Sequence, residues 1–167
     1  MAVPTSHERK AQMELALVEA RACAHTDDVP VGAVILDADG DVIATGRNTK
    51  ERDDDPLGHA EVMAIREASA KLGNWRLSDC TLVVTLDPCV MCAGAILAAR
   101  IPTVVYGAWD EKAGAAGSVF DLLRDRLLEL LAGARRHLHA AGGKLGFGVR
   151  VGQGRVGGAL QFVDDGL

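Results

Sequence analysis

Two short motifs, each at the predicted start of a helix, constrain the fold of this chain more than any other feature. The first is His59-Ala-Glu61, and the second is Pro88-Cys-Val-Met-Cys92. Cysteines three residues apart at a helix start lie on the same face, so a single metal ion can bind both sulfur atoms. An imidazole from a second helix would supply a third ligand. The fold must therefore bring two helix N-termini together.

The donor set predicts which metal binds and how. One nitrogen and two sulfur donors, from His59, Cys89 and Cys92, favour Zn²⁺. The positive end of the helix dipole and the ion both favour the thiolate forms of the cysteines. Three protein ligands leave the fourth tetrahedral position open for water, which is typical of a catalytic zinc site. We therefore expect one Zn²⁺ per subunit.

Glu61 is the predicted proton carrier. Residues two apart do not share a face within a helix, so His59 and Glu61 can serve one site only if His59 lies at the very first turn. The carboxylate would then lie beside the water, accept its proton and pass protons to a ring nitrogen and a departing amine. The combined signature is typical of zinc-dependent nucleobase deaminases. The predicted chemistry is hydrolytic release of ammonia.

The periodicity of apolar residues predicts an α/β fold. Helices are expected over residues 8–24, 59–72, 88–99 and 119–131, and strands over 31–36, 41–45, 81–86 and 102–107. Asp87 is the predicted N-cap of the third helix, with Pro88 as its first residue. This order of elements indicates a three-layer α/β/α sandwich in which helices cover both faces of a mixed sheet.

The composition changes near the C-terminus. From Gly142 onward the sequence is rich in glycine and has no helical periodicity. We therefore divide the chain into a zinc deaminase domain over residues 1–131 and a glycine-rich tail over 132–167, which is expected to be poorly ordered or irregular.

Composition and charge restrict the class of protein. Apolar residues make up 49% of the chain and charged residues 25%, which is typical of a globular protein. No apolar run approaches the roughly 20 residues that cross a bilayer, and no signal peptide is recognisable, so we expect a cytoplasmic protein. The net charge of −5 argues against nucleic-acid binding through bulk electrostatics. Cys23 and Cys80 are predicted to be buried thiols.

Over about residues 11–126 the sequence resembles the bacterial tRNA-specific adenosine deaminases, members of the cytidine deaminase superfamily. The resemblance is carried by the metal motifs and by Asn74-Trp-Arg-Leu77, Thr85-Leu-Asp-Pro-Cys-Val-Met-Cys-Ala-Gly-Ala95 and Lys112-Ala-Gly-Ala-Ala-Gly-Ser118. It implies a cytidine-deaminase-like fold, a homodimer, and conversion of adenosine to inosine at the wobble position in the anticodon loop of tRNA. It also implies that Ala33, Asn48 and Asp110 hold the flipped nucleotide and its neighbours.

Three features depart from that family. Asp87 stands where glutamate is usual, and residues 52–55 are more acidic than the corresponding loop. After Arg126 the chain lacks the Asn-His motif, the paired phenylalanines and the basic residues that the family uses to grip the anticodon stem. These departures bear on tRNA affinity and leave the zinc motifs intact.

Two other hypotheses remain open at the level of sequence. The acidic balance and the missing basic tail favour a deaminase of the same fold that acts on a free nucleobase or nucleoside, such as cytosine or guanine. Residues 74–77 and 114–118 favour the tRNA enzyme instead. A structural zinc module or an inactive partner subunit is the third hypothesis, and it predicts a closed site with four protein ligands.

Overall fold

The computed structural model describes residues 6–125, 128, 137–140, 148–150 and 161–163. The described part contains helices and strands with the following bounds: α1 Ser6–Ala22, β1 Gly32–Leu36, β2 Val42–Arg47, α2 Ala60–Leu72, β3 Thr81–Leu86, α3 Val90–Ala98, β4 Thr103–Ala108, β5 His137–Ala140, β6 Gly148–Arg150 and β7 Gln161–Val163. Two short 3₁₀ turns lie at Cys23–His25 and Leu122–Arg124.

Strands β1 to β5 form one mixed sheet in the order β2-β1-β3-β4-β5. Strand β1 is antiparallel to both of its neighbours, β2 and β3, whereas β3, β4 and β5 are mutually parallel. A parallel β3–β4 pair needs a crossover connection, and α3 provides it. Strands β6 and β7 form a separate antiparallel pair. The predicted mixed sheet is confirmed.

Helices cover both faces of the sheet because successive strand residues point to opposite sides. On one face α1 packs through its apolar stripe against Val34, Leu36, Val83 and Val105. On the other face the small residues of α2 pack against Ala33 and Ile35 of β1 and against the buried β3 side chains that point to the same face. The three-layer α/β/α sandwich predicted from the order of elements is confirmed.

A glycine on β2 sets how closely α2 approaches the sheet. A β-carbon added at Gly46 would lie 2.6 Å from the Ala64 amide nitrogen and 3.0 Å from the Ala64 β-carbon. The helix that begins beside His59 therefore lies almost in backbone contact with β2.

The predicted start of the third helix was wrong. Helix α3 begins at Val90 with Cys89 as its N-cap, not at Pro88 with Asp87 as the cap. The Asp87 amide donates to the Ala108 carbonyl over 2.8 Å, which completes the last pair of the β3–β4 ladder, Leu86 with Ala108. The Asp87 carboxylate is turned away to a loop at residues 110–120, so it cannot cap the helix.

The start of the predicted helix over residues 119–131 was also wrong. The amides of Val119 and Phe120 both donate to the Gly114 carbonyl, and Ala116 forms a β-bridge with Asp121. A tight turn therefore occupies these positions and leads into the 3₁₀ turn. Residues 126, 127 and 129–131 lie outside the described part of the chain.

The glycine-rich tail is described in part, and its described residues form strands that the sequence analysis did not anticipate. Strand β5 adds to the edge of the sheet beside β4, with Val104 opposite Leu138. The domain boundary at residue 131 stays a prediction. In the described part of the chain, no helix combines the length and apolar character that crossing a membrane requires.

Candidate metal centre

His59 and Cys89 occupy equivalent positions, each as the N-cap of a helix. His59 precedes α2 with extended backbone angles (φ −80°, ψ 147°), and Cys89 precedes α3 in a similar conformation (φ −70°, ψ 173°). An N-cap residue lies outside the helical spiral, so its side chain can reach past the helix end. The N-termini of α2 and α3 meet on the same side of the sheet.

The geometry of the three donor atoms fits a zinc ion. The His59 Nδ1 atom lies 3.6 Å from Cys89 Sγ and 3.5 Å from Cys92 Sγ. Tetrahedral zinc, with Zn–S near 2.3 Å and Zn–N near 2.0–2.1 Å, places nitrogen and sulfur ligands about 3.6 Å apart. The three donor atoms lie within 4.8 Å of one another. These residues could therefore hold one metal ion.

The pKa values of the two thiols are shifted in opposite directions. The pKa of Cys89 is lowered to about 4, because the Cys92 thiol donates a hydrogen bond to its sulfur and the His59 imidazole supports the charge. The pKa of Cys92 is raised by the neighbouring Cys89 sulfur and by burial. The hydrogen bond to Cys89 likewise raises the pKa of His59. The group therefore already favours one thiolate, the form that binds metal.

Glu61 lies in the first turn of α2 and is 4% exposed. Burial raises its pKa to about 6, and its carboxylate contacts Cys92 through a side-chain hydrogen bond. Among the described residues, the group of mutually close donor atoms comprises His59, Cys89 and Cys92 and does not include Glu61. The carboxylate is thus beside the three donors without being one of them.

The predicted substrate-binding residues lie on neighbouring elements. Asn48 follows β2, where its side-chain amide donates to the Val29 carbonyl over 3.0 Å, and the chain then runs through a loop to His59. Asp110 follows β4 and accepts a hydrogen bond from the Lys112 amide over 2.9 Å. The side chain of Ala33 is fully buried in β1. The roles of Ala33, Asn48 and Asp110 stay predictions.

The sequence analysis did not predict that two carboxylates near these loops, Asp28 and Asp87, are buried acceptors. Asp28 accepts a hydrogen bond from the Glu51 amide over 2.7 Å and so fixes the loop after Asn48. Asp87 binds the loop at residues 110–120. Both are buried, but an aspartate next to a proline or in a polar turn gives no sequence signal that separates a buried acceptor from a solvated one.

The sequence profile described as the cytidine and deoxycytidylate deaminase zinc-binding region matches residues 6–108. The chain belongs to this deaminase family. The match includes both metal motifs, so it supports the assignment of zinc to the His-Cys-Cys group. The deaminase hypothesis is confirmed, and so are the resemblance and the fold class on which it depended.

Several characterised proteins are similar to this deaminase. A tRNA-specific adenosine deaminase of Streptococcus pyogenes serotype M18 is 47% identical over 129 residues, which cover 77% of this chain and 80% of that protein. A solved structure from a study of A-to-I editing by tRNA:A34 deaminases at the wobble position is 42% identical, with a TM-score of 0.73, and the match covers 80% of this chain and 98% of that one.

A third relative is much longer than this deaminase. The tRNA(Ile)-lysidine synthase of Deinococcus radiodurans is 57% identical over 115 residues, which cover 69% of this chain but only 20% of that protein. The matched part of the chain therefore corresponds to about one fifth of the length of that enzyme.

Proposed function

We propose that this deaminase converts adenosine to inosine at the wobble position of tRNA by zinc-dependent hydrolysis. The observation that carries the proposal is the convergence of His59, Cys89 and Cys92 beside the buried carboxylate of Glu61. The similarity to tRNA-specific adenosine deaminases over most of both chains supports adenosine in tRNA as the substrate.

In this proposal His59, Cys89 and Cys92 hold the ion, and Glu61 moves the protons. Bound zinc supplies Lewis acidity, which lowers the pKa of a water molecule from 15.7 toward about 7. The Glu61 carboxylate accepts a proton from that water and delivers one to the purine ring nitrogen beside the reacting carbon. The water oxygen forms the new C–O bond, and Glu61 then takes the second proton from that oxygen and delivers it to the amino group, so that the C–N bond breaks and ammonia leaves. Burial of Glu61 suits this role because it raises the pKa toward neutrality.

Ala33, Asn48 and Asp110 are the proposed contacts to the flipped nucleotide and its neighbours. Asn48 precedes the loop that leads to His59, and the loop that starts at Asp110 pairs with Cys89 through a β-bridge at Gly114. Turning a base out of the stack costs least in a loop, where stacking is already weak. The anticodon loop is therefore the proposed partner.

We further propose that the protein is cytoplasmic and forms a homodimer, and the homodimer is what the resemblance to the tRNA deaminases implies. Light scattering of the purified chain measures the oligomeric state directly.

The net charge of the chain is −5, so contacts to RNA have to come from local groups rather than from the overall charge.

The test is a deamination assay on an anticodon stem-loop with adenosine at the wobble position, compared with free adenosine, cytosine and guanine. Zinc is measured on the same sample. We expect ammonia and inosine from the stem-loop only, at about one zinc per chain. Turnover of free cytosine or guanine without turnover of the stem-loop would instead establish the free-base hypothesis.

A further inference from the structure

Asp87 is a buried carboxylate whose two oxygens are both occupied by one loop. It is 2% exposed, and its Oδ1 accepts a hydrogen bond from the Ala116 amide over 2.9 Å. Its Oδ2 accepts a hydrogen bond from the Ser118 hydroxyl, and the Ser118 amide also donates to the carboxylate. Hydrogen bonds to an ionised acceptor are stronger than neutral ones, so this contact restrains the loop firmly.

The backbone beside Asp87 binds the same loop. The Ala115 amide donates to the Pro88 carbonyl over 2.7 Å, and Cys89 forms a β-bridge with Gly114. The chain segment that presents Cys89 is therefore joined to residues 114–118 by both backbone and side-chain contacts.

The packing at Gly114 leaves no room for a side chain. An added β-carbon would lie 2.8 Å from the Asp87 carboxyl carbon and 2.7 Å from the Asp110 carbonyl oxygen. The Gly114 amide donates to that same carbonyl over 2.9 Å. One glycine thus sits between Asp87 and Asp110, and the position of Asp110 depends on how the carboxylate holds the loop.

We propose that Asp87 is a positioning residue for substrate binding, which fixes the loop of residues 110–118 against the start of α3. Through this loop it sets the place of Asp110 relative to the metal centre. The inference rests on the proposed function, because it assigns Asp110 to the substrate. It predicts that loosening the contact weakens RNA binding while zinc and the proton carrier Glu61 stay in place.

Two substitutions test the contact from opposite sides. Asp87→Asn replaces one acceptor oxygen with an amino group that must face another donor, the Ala116 amide or the donors of Ser118. Ser118→Ala removes only the hydroxyl and keeps a small side chain, so it tests the contact even where Asp87→Asn fails to fold. Exposed residues supply the matched controls, Asp79→Asn and Ser78→Ala.

The experiment measures kcat and KM on the anticodon stem-loop, together with zinc content, for these four variants, for Asp87→Glu and for the wild type. For Asp87→Asn and Ser118→Ala we expect KM to rise about ten- to hundredfold, the range that corresponds to one lost hydrogen bond to a charged group. We expect kcat and zinc content to stay at the wild-type level, because a uniform loss of substrate binding changes KM alone. Asp87→Glu, which keeps the carboxylate, should have a KM closer to wild type than Asp87→Asn.

Two outcomes would overturn the inference. In the first, Ser118→Ala matches Ser78→Ala in both kcat and KM. In the second, zinc content falls together with kcat, which would assign Asp87 to the metal helix instead of the loop. Wild-type protein that does not turn over the stem-loop would overturn the proposed function itself, and the same data set distinguishes that failure from the other two.

Discussion

The Nδ1 atom of His59 lies 3.6 Å from the sulfur of Cys89, although the two residues are 30 positions apart in the chain. Each residue is the N-cap of its own helix, so the contact joins the starts of α2 and α3. A metal centre built in this way depends on the sheet, because β2 and β3 determine where the two helices begin.

Replacement of Cys92 by alanine should remove the metal and the activity together. Cys92 is fully buried and contributes one of the three donor atoms, so two remaining ligands would bind zinc much more weakly. We expect bound zinc to fall at least about tenfold, as measured by elemental analysis after gel filtration. Cys80→Ala is the matched control because Cys80 is also buried but lies outside the centre. Retention of wild-type zinc in Cys92→Ala would remove Cys92 from the ligand set.

Glu61→Gln should keep zinc and lose turnover. The amide has nearly the same shape as the carboxyl group but cannot accept the proton, so kcat should fall by about 10²–10⁴-fold. The measurement pairs inosine formation with zinc content. Glu14→Gln is the control, since Glu14 is an exposed residue whose ion pair with Arg21 spans 3.7 Å at the surface. Unchanged turnover in Glu61→Gln would assign the proton transfer to another group.

Cys23 and Cys80 should react slowly with iodoacetamide in the folded protein. Burial raises the pKa of both thiols, so at pH 8 each carries less thiolate than it does in the unfolded chain. Only the thiolate reacts with the reagent. In the folded protein the thiolate fraction should therefore increase at a higher pH than in the unfolded chain, above about 9. Mass spectrometry of labelled peptides, native against urea-unfolded, gives the rates at each site. Equal rates at pH 8 would show that neither thiol is shielded.

Gly46→Ala should destabilise the protein and disturb the metal centre. The added methyl group would meet the backbone of α2 at Ala64, and relief of the overlap requires α2 to move away from β2. Overpacking of this kind costs about 1–3 kcal/mol of unfolding free energy, and displacement of α2 should also weaken zinc binding. Chemical denaturation and zinc titration measure the two effects.

The control for this substitution is Gly94→Ala in α3. A β-carbon at Gly94 meets nothing within 4 Å, so the change should stabilise the helix by up to about 1 kcal/mol through its better helix propensity. If both variants changed stability in the same direction, the close approach of α2 to β2 would not be the cause.

The deaminase chemistry could be predicted from the sequence because its signals are local. The three-residue spacing of Cys89 and Cys92 at a helix start keeps two sulfur atoms within reach of one ion, even though Cys89 is the N-cap and only Cys92 lies in the helix. Short apolar runs predicted the strands, and β3 at Thr81–Leu86 matches its predicted range. The mixed sheet with helices on both faces followed from the order of elements.

At positions where local sequence signals conflicted, the tertiary structure determined the conformation. Asp87 and Pro88 are favourable residues for a helix start, yet pairing with Ala108 keeps Asp87 in the sheet and makes Cys89 the N-cap. Local propensity is worth about 1 kcal/mol at such a position, whereas the backbone hydrogen bond to Ala108 and three charge-assisted hydrogen bonds to the carboxylate together contribute more. The strand β5 also depended on a distant partner, because residues 137–140 form a strand by pairing with β4. The sequence by itself determined which side chains can bind the metal, because the motifs that carry them are formed by residues close together in the chain. The proximity of His59 to the two sulfur atoms was determined only by the packed sheet, because that contact depends on where β2 and β3 place the starts of α2 and α3.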